Sequence, residues 1–173
     1  MFEKISDRLK ARAEKIKMIG FDVDGVLTDG SLFIGKEGEL VKRFFALDGL
    51  GMKLAMQFGI KVAVVSARHS EHTINRCTDL GLEEIHVGVE DKLSCVHDLL
   101  ARHELKFEEF AFIGDDSIDV TVLELAGLSA CPPESHYSVF KHIHYITERA
   151  GGHGAAREFI DLILAMQGKI PLS

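Results

Sequence analysis

Short apolar runs at residues 18–21, 61–65, 85–89 and 110–113, rich in Val, Ile and Phe, punctuate this 173-residue chain, with helix-length segments between most of them. Runs of this kind suit strands buried on both faces, which belong to parallel sheets covered by helices. Parallel neighbours need crossover connections, so strand-helix alternation implies a mainly parallel, three-layer sheet. Helices are expected near residues 49–58, 70–80, 92–103, 117–126 and 155–166, with further short strands near 128–130 and 144–146. An amphipathic helical stretch from about Phe2 to Lys17 precedes the first strand, with Ile5, Leu9 and Ile16 among its apolar positions. Residues 31–34 and 40–45 flank Gly35-Lys36-Glu37-Gly38, a hairpin signal. The expected fold is α/β: a Rossmann-like parallel sheet between helical layers, with a β-hairpin flap, in one domain spanning residues 1–173.

In open α/β sheets, ligands gather where the strands end. The first run ends in Asp22-Val23-Asp24-Gly25. Two carboxylates aimed into one pocket repel each other unless a cation or proton offsets them. A Mg²⁺-neutralised site, in which one Asp attacks an electrophile and the other moves protons, uses both. A pair of turn aspartates is the plainer alternative, because Asp and Gly favour such turns. The second run delivers Ser66, able to donate to a phosphoryl oxygen or to act as a cap or turn residue. Lys92 follows the third run, either as a point charge for a phosphoryl group or as an exposed lysine opening a helix. The fourth ends in Gly114-Asp115-Asp116-Ser117-Ile118-Asp119. Three carboxylates in so short a loop suit a hard cation with oxygen ligands. Asp116 could instead be a solvated neighbour, and Asp119 could sit in the first turn of the next helix.

Taken in order, Asp-x-Asp-Gly-x-x-Thr, the strand-end Ser, the Lys and the acidic loop resemble the motifs of the haloacid dehalogenase superfamily, whose phosphatases form an aspartyl-phosphate. Further segments sharpen this: Asp22 to Gly30, Leu47-Asp48-Gly49-Leu50-Gly51-Met52-Lys53, Ser66-Ala67-Arg68, Asn75-Arg76-Cys77 and Ala150-Gly151-Gly152-His153-Gly154-Ala155-Ala156-Arg157-Glu158. With the acidic loop, they resemble the 3-deoxy-D-manno-octulosonate 8-phosphate phosphatases over nearly the whole chain. The resemblance implies Asp22 as nucleophile, Asp24 as acid and base, and Ser66 and Lys92 on the phosphoryl oxygens. It implies Mg²⁺ held by Asp22, the Asp24 carbonyl and Asp115, with Asp119 orienting Lys92. It also implies a homotetramer whose hairpins meet, and a substrate that is a phosphorylated eight-carbon keto-sugar acid of lipopolysaccharide synthesis.

Arg68 suits such a substrate, since a guanidinium binds a carboxylate bidentately, although it could equally be a surface charge opening a helix. Asp48, in the turn after the hairpin, could contact substrate hydroxyls or cap a helix. Two positions depart from the family: Ala67 stands where Gly is usual, and His153 where many relatives carry Arg or Lys. His153 would hold an anion best when protonated. The interval between Asp22 and Ser66 is largely used by the hairpin and its helix, leaving no room for a large cap domain. Phe33, Phe44 and Phe45 put more aromatic surface on the hairpin than a two-stranded flap readily buries, which suits an oligomer interface.

A net charge of −7 argues against nonspecific nucleic-acid binding. Cys77, Cys95 and Cys131 lack zinc or redox spacing and read as reduced thiols of a cytoplasmic protein. No apolar run reaches membrane-spanning length, so no membrane partner is expected. Two alternatives remain: a phosphatase for a nine-carbon, sialic-acid-type keto-sugar acid, and a catalytically idle oligomerisation domain.

Overall fold

In chain order, the computed structural model, which describes residues 5–171, runs α1 (Asp7–Ala13), β1 (Met18–Phe21), β2 (Phe33–Gly35), β3 (Gly38–Val41), α2 (Ala46–Gln57), β4 (Lys61–Ser66) and α3 (Glu71–Leu80). It continues through β5 (Glu84–Val87), α4 (Lys92–Arg102), β6 (Phe110–Ile113), α5 (Val120–Leu125), β7 (Leu128–Cys131), β8 (Tyr145–Ile146) and α6 (Ala155–Met166). Six strands form one sheet in the order β5-β4-β1-β6-β7-β8, every pair parallel. β2 and β3 make a separate antiparallel hairpin.

Side-chain alternation assigns the two faces. Ile19 and Phe21, Val62 and Val64, Ala111 and Ile113 point to one side, where residues of α1, α2, α3 and α6 cover them. Met18, Ala63, Val65, Phe110 and Phe112 point to the other, under α4 and α5. Gly20 makes room on that second face: a side chain there would collide with the Phe110 and Phe112 rings. β1 is the pivot. Met18 lies opposite Lys61 on one flank and Phe110 on the other, so β4 and β6 leave in opposite directions and open a crevice at the carboxyl end of β1.

Several expected elements differ in extent, among them the hairpin strands, which occupy 33–35 and 38–41 rather than 31–34 and 40–45. The first helix is shorter: Ser6 caps it by accepting the Leu9 N–H at 3.3 Å, and the sheet already claims Lys17, whose N–H donates to Glu109 and whose carbonyl accepts from Lys61. Phe2 lies outside the described residues. The helix after the hairpin begins at Ala46, placing Asp48 inside its first turn rather than before it. The stretch expected near 117–126 splits into a 3₁₀ turn at Ser117–Asp119 and the six-residue α5, because the Asp119 carboxylate turns back onto the main chain of the acidic loop. No helix among the described residues is long and apolar enough to cross a membrane.

Candidate active site

Strand pairing carries one residue past β1: the Asp22 N–H donates to the Ile113 carbonyl at 3.0 Å, which fixes the Asp22 backbone at the mouth of the crevice. The chain then turns on itself, with the N–H groups of Leu27 and Thr28 donating to the Val23 carbonyl at 2.9 and 3.0 Å. Gly25, at φ +87°, lies under the Asp115 carboxylate, and any side chain there would overlap it. Gly151, from the loop before α6, presses so closely on the Gly25 carbonyl that a β-carbon would penetrate it.

A buried charge relay stands behind this loop. The Lys92 ammonium, 3% exposed, reaches Oδ1 of Asp22 at 2.8 Å and Oδ1 of Asp119 at 2.6 Å. Oδ2 of Asp119 accepts the N–H groups of Asp115 and Asp116 at 3.0 and 3.2 Å. Asp119 is thus fully partnered and orients Lys92 while shaping the loop that carries Asp115. Asp116 is exposed and accepts the Ser117 N–H.

Carboxylate oxygens of Asp22, Asp115 and Asp119 lie within 4.8 Å of one another. Burial, then the charge of Asp119, drives the Asp22 carboxyl well above its ordinary range against the pull of Lys92. Burial, then repulsion from Asp119 and Asp116, lifts Asp115 to about 7. Burial disfavours the Lys92 ammonium, yet Asp22 and Asp119 outweigh it and raise its pKa. One ammonium against three carboxylates leaves the cluster short of positive charge. With Asp119 saturated, Asp22 and Asp115 are hard oxygen donors that fit a divalent cation such as Mg²⁺.

The crevice in front has a volume of about 310 Å³ and is lined by Asp22, Asp24, Ser66, Arg68, Asp115 and Asp116, among others. β4 delivers Ser66 there, 2% exposed. Asp24 faces the same space between two cations, Lys42 Nζ at 2.7 Å from Oδ1 and Arg68 Nε at 3.0 Å from Oδ2. Sequence reading missed Lys42. In a hairpin flank it looks like any solvent-facing lysine, and no spacing announces a contact made 18 residues away.

Two expected site residues take other positions. Asp48, 3% exposed, accepts the Arg157 N–H at 2.8 Å, so it caps α6. It borders a small apolar recess with Leu27, Phe44 and Phe45 and does not line the crevice. His153 does sit close by, lining an adjoining cavity with Gly25, Gly30 and Asp115. Its ring, however, is engaged: Nδ1 meets the Gly151 carbonyl at 2.9 Å, and Nε2 meets the Arg43 guanidinium at 2.7 Å. A carbonyl only accepts and a guanidinium only donates, so this arrangement calls for the neutral ring with its proton on Nδ1. The cation at this spot is Arg43, which also pairs with Asp29 at 3.3 Å.

Comparison with known proteins agrees with this geometry. Residues 84–159 match the model of the haloacid dehalogenase-like hydrolases. The 3-deoxy-D-manno-octulosonate 8-phosphate phosphatase KdsC of Escherichia coli (strain K12) is 39% identical over 166 residues, 96% of this chain and 88% of that protein. The crystal structure of the Yersinia pestis phosphatase of the same name superimposes with a TM-score of 0.93 at 38% identity, covering 95% of this chain and 89% of that one. That of the Moraxella catarrhalis phosphatase, in complex with magnesium, phosphate and KDO, gives 0.91 at 34% identity, covering 95% and 94%. Identity at this level across nearly the full length of both chains places this protein in the 3-deoxy-D-manno-octulosonate 8-phosphate phosphatase family of haloacid dehalogenase-like hydrolases.

Proposed function

We propose that this chain is a Mg²⁺-dependent phosphomonoesterase that removes phosphate from 3-deoxy-D-manno-octulosonate 8-phosphate, in lipopolysaccharide synthesis, through an aspartyl-phosphate. The observation that carries the reading is the convergence of a buried Asp22, its Lys92–Asp119 support and Asp24 on one crevice.

Asp22 attacks phosphorus in line, forming a bond to its carboxylate oxygen as the bond to the sugar oxygen breaks. Asp24 gives its proton to the departing alkoxide. It then takes a proton from the water that attacks the phosphorus of the aspartyl-phosphate, releasing phosphate and restoring Asp22. Ser66 and Lys92 hold the equatorial oxygens, where charge stabilisation matters most. Arg68, 44% exposed at its side chain, is free to exchange Asp24 for a substrate carboxylate. Mg²⁺, when held by Asp22, Asp115 and the main-chain carbonyl of Asp24, offsets the crowding of phosphate and carboxylate charge. The whole of residues 1–173 is taken as one phosphatase domain acting in the cytoplasm as a homotetramer. Exposed Phe33, Ile34, Leu40 and Val41 on the hairpin support the assembly, and free Cys77, Cys95 and Cys131 support the compartment.

Phosphate release with Mg²⁺ from the eight-carbon acid phosphate, two nine-carbon analogues and an aryl phosphate tests this. Preference for the eight-carbon ester is expected, and Asp22→Asn should abolish turnover without unfolding the protein. Preference for a nine-carbon ester would move the enzyme to another pathway. Release from none of them would favour an idle oligomerisation domain.

A further inference from the structure

Lys42 is a nearly buried cation that the reaction as described leaves unused. Its side chain is 2% exposed, and its ammonium lies 2.7 Å from Asp24 Oδ1 and 3.5 Å from Glu39 Oε1. Glu39 belongs to β3, and its other carboxylate oxygen accepts from the Ser70 hydroxyl just before α3. Its main-chain carbonyl meets Nε2 of His72 at 3.4 Å. The hairpin is thereby clamped at β3 to the β4–α3 loop, which also carries Arg68, and to the start of α3, and Lys42 reaches from just beyond β3 to Asp24. The two cations on Asp24 are not equivalent. Arg68 is close to half exposed and faces a crevice that must admit an anion, whereas Lys42 is withdrawn from solvent and held from both sides.

We infer that Lys42 is a positioning residue through which the seating of the hairpin sets the Asp24 carboxyl group for proton transfer to the departing alkoxide oxygen. The inference rests on the phosphatase reading above. Among the described residues, Asp22, Lys92 and Ser66 make no hydrogen bond or ion pair with Lys42, so capture of the phosphoryl group stays independent of it, while protonation of the leaving oxygen does not. That division gives a signature that a merely structural ion pair lacks: the need for Lys42 should follow the basicity of the leaving group. An alkoxide leaving from a sugar needs a proton, whereas 4-nitrophenolate leaves without one.

The experiment measures single-turnover phosphoryl transfer to Lys42→Met, with Mg²⁺, from the octulosonate 8-phosphate and from 4-nitrophenyl phosphate. The expected result is a loss of about 100-fold on the sugar ester, the scale of a displaced general acid, against less than about threefold on the aryl ester. In an Asp24→Asn background, Lys42→Met should cost nothing further on either ester. Equal losses on both esters, no loss on the sugar ester, or additive losses in the double variant would overturn the inference. Should Lys42→Met not fold, Glu39→Gln loosens the same ammonium from its other side. Loss confined to the sugar ester then supports the inference, and any other pattern overturns it. Wild-type protein that releases phosphate from neither ester, or Asp22→Asn that still turns over, sinks the phosphatase reading instead.

Discussion

Asp48 holds the N-terminus of α6 with one carboxylate oxygen, while its Oδ2, buried between α2 and α6, has no hydrogen-bond partner among the described residues. Burial dominates the Arg157 N–H bond that opposes it, and the pKa rises from 3.8 to about 6. The folded state therefore binds its proton more tightly than the unfolded chain does. Stability from this group is complete below pH 3.8 and is lost as pH climbs through about 6. Asp48→Asn keeps an acceptor for Arg157 and cannot ionise. We expect it to match wild type near pH 4 and to exceed it at pH 7 by at most about 3 kcal/mol in urea denaturation. A variant less stable at pH 7 would mean that the carboxylate's hydrogen bonds outweigh its burial. Asp48 also marks a limit of reading residues in sequence. Asp22 and Asp115 can be singled out in the sequence because each follows an apolar strand beside further carboxylates, a pattern that a single turn aspartate does not make. Asp48, Lys42, Arg43 and His153 take their meaning from contacts between segments up to 110 residues apart, which no local pattern encodes.

At the scale of elements, close packing of glycines registers the catalytic loop. Gly151 rests on the Gly25 and Thr28 carbonyls, and Gly152 on the backbone of Thr28 and Asp29. Main chain cannot yield as a flexible side chain can, so Gly151→Ala should displace the loop that aims Asp24. A fall in kcat of at least about tenfold, with near-native circular dichroism, is the expected outcome for a misplacement on the ångström scale. Unchanged kcat would show that the loop tolerates the shift. The strands themselves are legible from composition, and 110–113 and 155–166 match the expected limits, because β-branched runs and amphipathic periods are local properties. The break between Ser117–Asp119 and α5 is not legible, because it depends on Asp119 bonding the main chain of its own loop while also holding Lys92 from another helix.

For the whole molecule, the hairpin gathers several exposed apolar side chains that its own chain leaves uncovered. Ile34 and Leu40 are 60% and 62% exposed. On the homotetramer proposed above, Leu40→Glu should give smaller species in sedimentation velocity, since a carboxylate in an apolar interface loses hydration without gaining a partner. An unchanged sedimentation coefficient would overturn the hairpin as an interface. The contact between Gly151 and Gly25 carries a consequence for biosynthesis. The loop bearing Asp22 and Asp24 is translated well before the residues that brace it. The nascent protein cannot complete the packing around this loop until the loop before α6 has emerged, so a polypeptide interrupted between the two lacks the brace however well its first strands have paired.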